Sequence, residues 1–145
     1  MRINQVLAAK ASQEVITVSP DATVRELLEL MARNNVGALV VSSDGKKLEG
    51  IVSERDVVRR LTDREDLLGA RVDSIMTSEV RTCEGDHRVN DLMQVMTEHR
   101  IRHLPVMNGD ELVGIISIGD VVKSRLSELE FERDQLDSYI HTAQS

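Results

Sequence analysis

Gly50-Ile51-Val52-Ser53-Glu54-Arg55-Asp56-Val57-Val58 recurs in the same chain as Gly114-Ile115-Ile116-Ser117-Ile118-Gly119-Asp120-Val121-Val122. A glycine, two apolar residues, a serine, two free positions, an aspartate and two valines keep their spacing in both copies. The β-branched run before each serine reads as a buried strand, and the valine pair after each aspartate reads as the first turn of a helix. The serine therefore ends a strand and the aspartate opens a helix, twice.

The repetition extends upstream. Ser43-Asp44-Gly45 precedes the first copy and Asn108-Gly109 the second, and such pairs are strong hairpin signals because they tolerate positive φ. Before the turns stand Asn35 to Val41 and Arg100 to Val106, apolar runs of strand length. Before those, Val24, Leu27, Leu28 and Met31 lie on one helical face, as do Val89, Leu92, Met93 and Met96. Val15 to Val18 and Val80 to Cys83 read as strand entries, and the lead-in triplet Ile3, Val6, Leu7 returns as Val72, Ile75, Met76.

One copy of about fifty residues buries little surface, whereas two copies can share a core. The sequence thus predicts an α/β (α+β) fold of two pseudo-twofold-related β-α-β-β-α repeats packed through their sheets, followed by a long C-terminal helix. The expected division is repeat one over 1–68, repeat two over 69–126 and an amphipathic helix over 127–145, with the charged stretch from Leu61 to Ala70 as the link. Duplication implies two equivalent clefts at the seam.

Composition narrows the function classes. The 145 residues carry a net charge of −7, with one Phe, one Tyr and no Trp. That balance argues against a nucleic-acid partner, and no aromatic platform exists for stacking bases. The single Cys83 excludes an internal disulfide and a cysteine-based zinc cage. No signal peptide or membrane-length apolar run is visible, so a cytoplasmic protein without a membrane partner is expected. His87, His99, His103 and His141 show no metal-ligand spacing, and no lysine-bearing glycine loop supports ATP hydrolysis. Cys83 takes the place of Val18 and reads as a small buried hydrophobe; no catalytic constellation is evident, so no enzyme is expected.

The repeated Ser-x-x-Asp has two readings. A helix start offers free N–H groups to a phosphate, and an aspartate can accept bonds from two ribose hydroxyls. The same pattern is also an ordinary N-cap. The residues alone leave both open.

The doubled Gly-Ile-Val-Ser-Glu-Arg-Asp-Val-Val and Gly-Ile-Ile-Ser-Ile-Gly-Asp-Val-Val closely resembles the CBS (cystathionine-beta-synthase) domain family, in which paired repeats form Bateman modules. The likeness runs from about Ile3 to Leu126 and implies adenine nucleotide binding in the inter-repeat clefts: AMP, ADP, ATP or NAD(H). It implies one site at Ser117 and Asp120 with backbone near Val15, Val36 and Ala38, and another at Ser53 and Asp56 with backbone near Val80, Ile101 and His103. Arg102 and His103 stand where family members often reach phosphate from near the pseudo-twofold axis; Arg102 as a solvated strand residue is the competing reading. Arg55 faces the same choice, and its counterpart Gly119 would let a ligand approach closely. The two sites are expected to differ in affinity, with Ser117/Asp120 the stronger.

Beyond Val122, Leu126, Leu129, Arg133, Leu136 and Ile140 form a heptad-like stripe. Either it folds back on its own domain or it meets a second copy; family pairs commonly associate through helices, so a homodimer is expected. The functional expectation is a stand-alone energy or redox sensor acting on a separate regulated protein. The alternative is a protein-protein interaction module with vestigial nucleotide clefts.

Overall fold

The structure, a computed structural model, describes residues 1–10 and 15–144. Its elements run α1 (Ile3–Ala8), β1 (Thr17–Val18), α2 (Val24–Asn34), β2 (Ala38–Val41), β3 (Gly50–Ser53) and α3 (Glu54–Arg60). Two short 3₁₀ turns follow, Leu67–Gly69 and Val72–Ser74. The second half supplies β4 (Cys83–Glu84), α4 (Val89–His99), β5 (His103–Asn108), β6 (Glu111–Ser117) and α5 (Ile118–Gln144).

Each half forms a three-stranded sheet with the same topology, ordered β1-β2-β3 and β4-β5-β6. The first pair in each is parallel and the second antiparallel. The hairpin turns fall where Asp44-Gly45 and Asn108-Gly109 lie: Gly45 has φ +81° and Gly109 φ +62°. The expected entry strands are two residues each: Thr17–Val18 lies within the expected run, while Cys83–Glu84 shares only Cys83 with it, and Val15 and Val80 lie outside the sheets.

The buried apolar side chains separate into two clusters, one per sheet, where the sequence suggested one shared core. The halves nevertheless interlock. Ile3 and Val6 of α1 are buried with Val89, Leu92, Leu104 and Ile116 of the second half. In the same way Leu67, Val72 and Ile75 are buried with Leu27, Val41 and Val52 of the first. Each lead-in segment thus completes the core of one sheet, and neither half is whole without chain from across the nominal division.

The repeated glycine follows from this crossing. A Cβ on Gly50 would lie 2.6 Å from Met76 Sδ and 2.9 Å from the Thr77 carbonyl oxygen. On Gly114 it would lie 3.0 Å from a Leu7 methyl. Leu7 and Met76 are the equivalent lead-in residues, so the glycine admits the same contact in both halves.

The C-terminal helix is continuous from Ile118 to Gln144, 27 residues, about 40 Å long at 1.5 Å per residue. It does not cover its own domain with the predicted stripe: Leu126 (55%), Leu129 (45%), Leu136 (60%) and Ile140 (43%) remain exposed. Arg133, in that stripe, is exposed beside Asp134. Among the described residues no helix is long and apolar enough to cross a membrane.

Candidate functional site

The two helix starts are built alike. Ser53 caps α3: its hydroxyl accepts from the Asp56 N–H at 3.4 Å, and Asp56 Oδ2 accepts from the Ser53 N–H at 2.8 Å. Ser117 and Asp120 repeat the arrangement at 3.1 and 2.9 Å. This reciprocal pair is a capping box, so the capping role open in the sequence is realised in both copies. Each helix begins one residue after the serine, not at the aspartate. The first helical N–H is also occupied: Glu54 donates to the Gly37 carbonyl at 3.0 Å and Ile118 to the Arg102 carbonyl at 2.8 Å. The caps leave one carboxylate oxygen, Oδ1, turned from the bonds made to Oδ2.

A cleft of about 900 Å³ opens beside Ser53 and Asp56. Val80, Ile101 and His103 line it together with Arg55 and Arg102. All seven residues assigned to that side of the seam therefore meet in one cavity. Gly37 and Ala38 line it too, so Ala38 faces the cleft opposite to the one expected of it.

The sequence reading passed over Glu54, Arg59, Glu79, Arg81, His99 and Arg100, which share the lining. A signal for two of them was available. Arg81 adjoins Val80 and Arg100 adjoins Ile101, the positions already placed at the seam. Arg100 also has φ +54°, a left-handed conformation rare for arginine, at the C-terminus of α4; Asn35 has φ +53° at the matching end of α2.

The Ser117/Asp120 side is differently arranged. Lys10 Nζ lies 3.0 Å from Asp120 Oδ2 and donates to the Ile115 carbonyl at 3.0 Å. Ser117, Asp120, Val15 and Val36 are half-buried and lie outside the 900 Å³ cleft. Gly119 lines a separate groove with Ile118, Val122 and Leu126 on α5. The geometry gives the expected preference for this side no support.

Charge follows geometry. Burial pushes the Asp120 carboxyl up, but the Ser117 N–H, Lys10 and the Ser117 hydroxyl outweigh it and hold it below its ordinary value. His103, half-buried between the two sides, is held below its ordinary value chiefly by burial; Asp120 and Glu54 pull it up while Arg102 and Lys10 push it down. The same burial disfavours the charged imidazolium that a phosphate would attract.

Two other expectations meet the structure here. Cys83 is buried, and burial pushes its thiol up to about 12, in keeping with an inert hydrophobe. His87, read from spacing as lacking ligand neighbours, has ligand atoms of Glu84 and Asp86 within 4.8 Å. All three are exposed, and His87 Nδ1 already accepts from the Glu84 N–H at 3.2 Å.

Two interlocked repeats with matching sheets, matching caps and a cleft on their seam define a paired-repeat architecture. The chain belongs to the CBS domain family, whose profile matches residues 6–63 and again 72–127. It is 42% identical to a solved protein of Burkholderia ambifaria described as a putative signal-transduction protein with CBS domains; the match covers 88% of this chain and 95% of that one, with TM-score 0.81. A CBS domain protein of Pyrobaculum aerophilum, solved complexed with AMP, is 32% identical, covering 83% and 89% of the two chains at TM-score 0.72. The mitochondrial CBS domain-containing protein CBSX3 of Arabidopsis thaliana is 38% identical over 125 residues, 83% of this chain; the match spans 61% of that protein's length.

Proposed function

We propose that this chain is a non-enzymatic regulatory module that binds an adenine nucleotide in the Ser53/Asp56 cleft and passes its occupancy to a partner protein. The observation that carries the reading is the cleft itself, in which Ser53, Asp56, Val80, Ile101, Arg102 and His103 converge on about 900 Å³. That volume lies in the range of small-ligand and cofactor pockets, roughly 300–1,000 Å³. The similarity to a protein complexed with AMP supports the adenine class.

In this reading Asp56 keeps Oδ2 for its cap and turns Oδ1 to the ribose hydroxyls. Backbone at Val80 and Ile101 walls the base, and the arginines meet the phosphates. AMP, ADP, ATP and NAD(H) share the adenosine-phosphate unit, so the module reports energy or redox state. It acts as a homodimer in the cytoplasm on a separate regulated protein.

A second reading, an interaction module with vestigial clefts, is favoured by the exposed apolar stripe of α5. Thermal unfolding of nucleotide-free protein with AMP, ADP, ATP, NAD⁺, NADH and S-adenosylmethionine separates the two. A ligand at about 100 times its Kd stabilises the fold by about 2.7 kcal/mol. A rise with one nucleotide, lost in Asp56→Asn, supports binding; no rise with any of them supports the interaction module.

A further inference from the structure

We propose, resting on the nucleotide reading, that the Ser53/Asp56 cleft selects a polyphosphate: its ligand carries a chain of phosphates read by Arg55, Arg81, Arg100 and Arg102.

The cleft is basic in an acidic protein. Five guanidiniums line it, Arg59 being the fifth, against three carboxylates, while the whole chain carries −7. Among the described residues none of the five guanidiniums makes an ion pair or hydrogen bond, although Arg71 and Arg125 elsewhere are paired with carboxylates. Arginines that outnumber the carboxylates in one concavity and pair with none of them are poised for an anion.

The duplication supplies an internal control. Arg55 corresponds to Gly119, Arg81 to Ile16, Arg100 to Asn35 and Arg102 to Gly37. Each counterpart position, Gly119 in the second half and Ile16, Asn35 and Gly37 in the first, sits in the same repeat architecture without arginine, so the fold does not require arginine there. Arg100 goes further, because it holds φ +54° where its counterpart is asparagine, a residue that tolerates that region. A strained, exposed arginine kept beside a cleft points to use.

The number of arginines sets the class. A phosphate monoester carries about −2 charge and three acceptor oxygens, which one or two bidentate guanidiniums satisfy. Four call for further phosphoryl groups. The same field repels a cationic sulfonium ligand.

Calorimetric titration of the full chain with AMP, ADP, ATP and inorganic tripolyphosphate, in magnesium-free buffer at constant ionic strength, tests this. ATP is expected to bind about tenfold or more tighter than AMP, with ADP between. In Arg81→Gln/Arg102→Gln both nucleotides should weaken, ATP more than AMP, so that ATP falls to within a few fold of AMP, a ratio that a merely structural lesion would not move. Equal AMP and ATP affinities in the wild type, or equal losses in the variant, overturn the polyphosphate assignment and leave the nucleotide reading standing. Binding of tripolyphosphate without any adenine nucleotide upholds the assignment and overturns the adenosine reading. Binding of none overturns both.

Discussion

Lys10 Nζ and Asp120 Oδ2 stand 3.0 Å apart on one side of the seam, whereas Glu79 and Asp56, at the equivalent places on the other side, are both acidic. The lysine gives Asp120 a donor and a counter-charge from within the chain. On the other side Asp56 has no such partner among the described residues, and Arg81, Arg100 and Arg102 of the cleft stand at positions that are Ile16, Asn35 and Gly37 in the first half. The duplicated seam is thus polarised into one side that satisfies itself and one that does not.

This polarity predicts one nucleotide per chain, with unequal consequences for the two aspartates. Asp56→Asn keeps an acceptor for the Ser53 N–H but removes the charge. Losing a charged acceptor costs about 1.5–3 kcal/mol, or roughly ten- to a hundredfold in Kd. Asp120→Asn should leave affinity within about threefold of wild type. Calorimetry reads both numbers and the stoichiometry. Two equal sites, or a larger loss from Asp120→Asn, would reverse the assignment.

The fold was legible because duplication prints the pattern twice. The Gly-x-x-Ser-x-x-Asp spacing, the Asp-Gly and Asn-Gly turns and the helical faces at Val24 and Val89 recur, and coincidence does not repeat at matched offsets. The crossing of the lead-ins was not legible. Ile3 and Val72 carry the same apolar signal, and nothing in that signal says which sheet each will cover. Lys10 was missed for a related reason: its meaning lies in Asp120, 110 positions away. Arg100 was half-legible, since its alignment with Asn35 marked a left-handed position without showing that the side chain shares a cleft.

The lead-in crossing sets a stability test at the glycines. At Gly50 an added methyl meets Met76 Sδ and also the Thr77 carbonyl, and Thr77 exchanges backbone hydrogen bonds with Ile51. Backbone cannot step aside, and overpacking of this kind costs about 1–3 kcal/mol. At Gly114 the methyl's three nearest neighbours all belong to the flexible end of Leu7. Urea unfolding should show a larger loss for Gly50→Ala than for Gly114→Ala. Equal midpoints would mean that the two contacts are not tight as described.

Arg100 offers a gain in stability. Relief of left-handed strain returns about 1–2 kcal/mol, offset by about 0.5–1 kcal/mol of added chain entropy in glycine. Arg100→Gly should therefore stabilise the nucleotide-free protein on the order of 0.5–1 kcal/mol, raising Tm by roughly 2–4 °C. The same variant should weaken ATP more than AMP. Stability unchanged in calorimetric scans would show that the αL position is not strained.

His103 gives a pH signature. Burial lowers its folded pKa below the ordinary 6.5, so the unfolded chain binds more protons in this window. The sign follows: the histidine costs nothing above pH 7 and destabilises increasingly as pH falls through 6.5 towards its folded value. His103→Gln should flatten the stability slope between pH 7 and about 5.5. Urea midpoints across that range would reveal it; parallel slopes in both proteins would place the titration elsewhere.

The last prediction concerns the helices. Val58 and Val122 are equivalent across the repeats, and both are exposed, at 62% and 47%. Val58 edges the Ser53/Asp56 cleft and Val122 the groove beside Gly119, and both lie outside the two cores. Leu126 and Leu129 continue the exposed run along α5. Exposed apolar surface of this extent marks an association site, and a second copy, presenting the same two helices, buries it by symmetry. Sedimentation should give a dimer for the wild type. Leu126→Glu/Leu129→Glu should give a monomer, since a charge placed opposite its own copy is repelled as well as desolvated. Because the cleft is lined from one chain, nucleotide-induced stabilisation should survive in that monomer. A wild-type monomer, or a dimer untouched by both charges, would remove these helices as the contact.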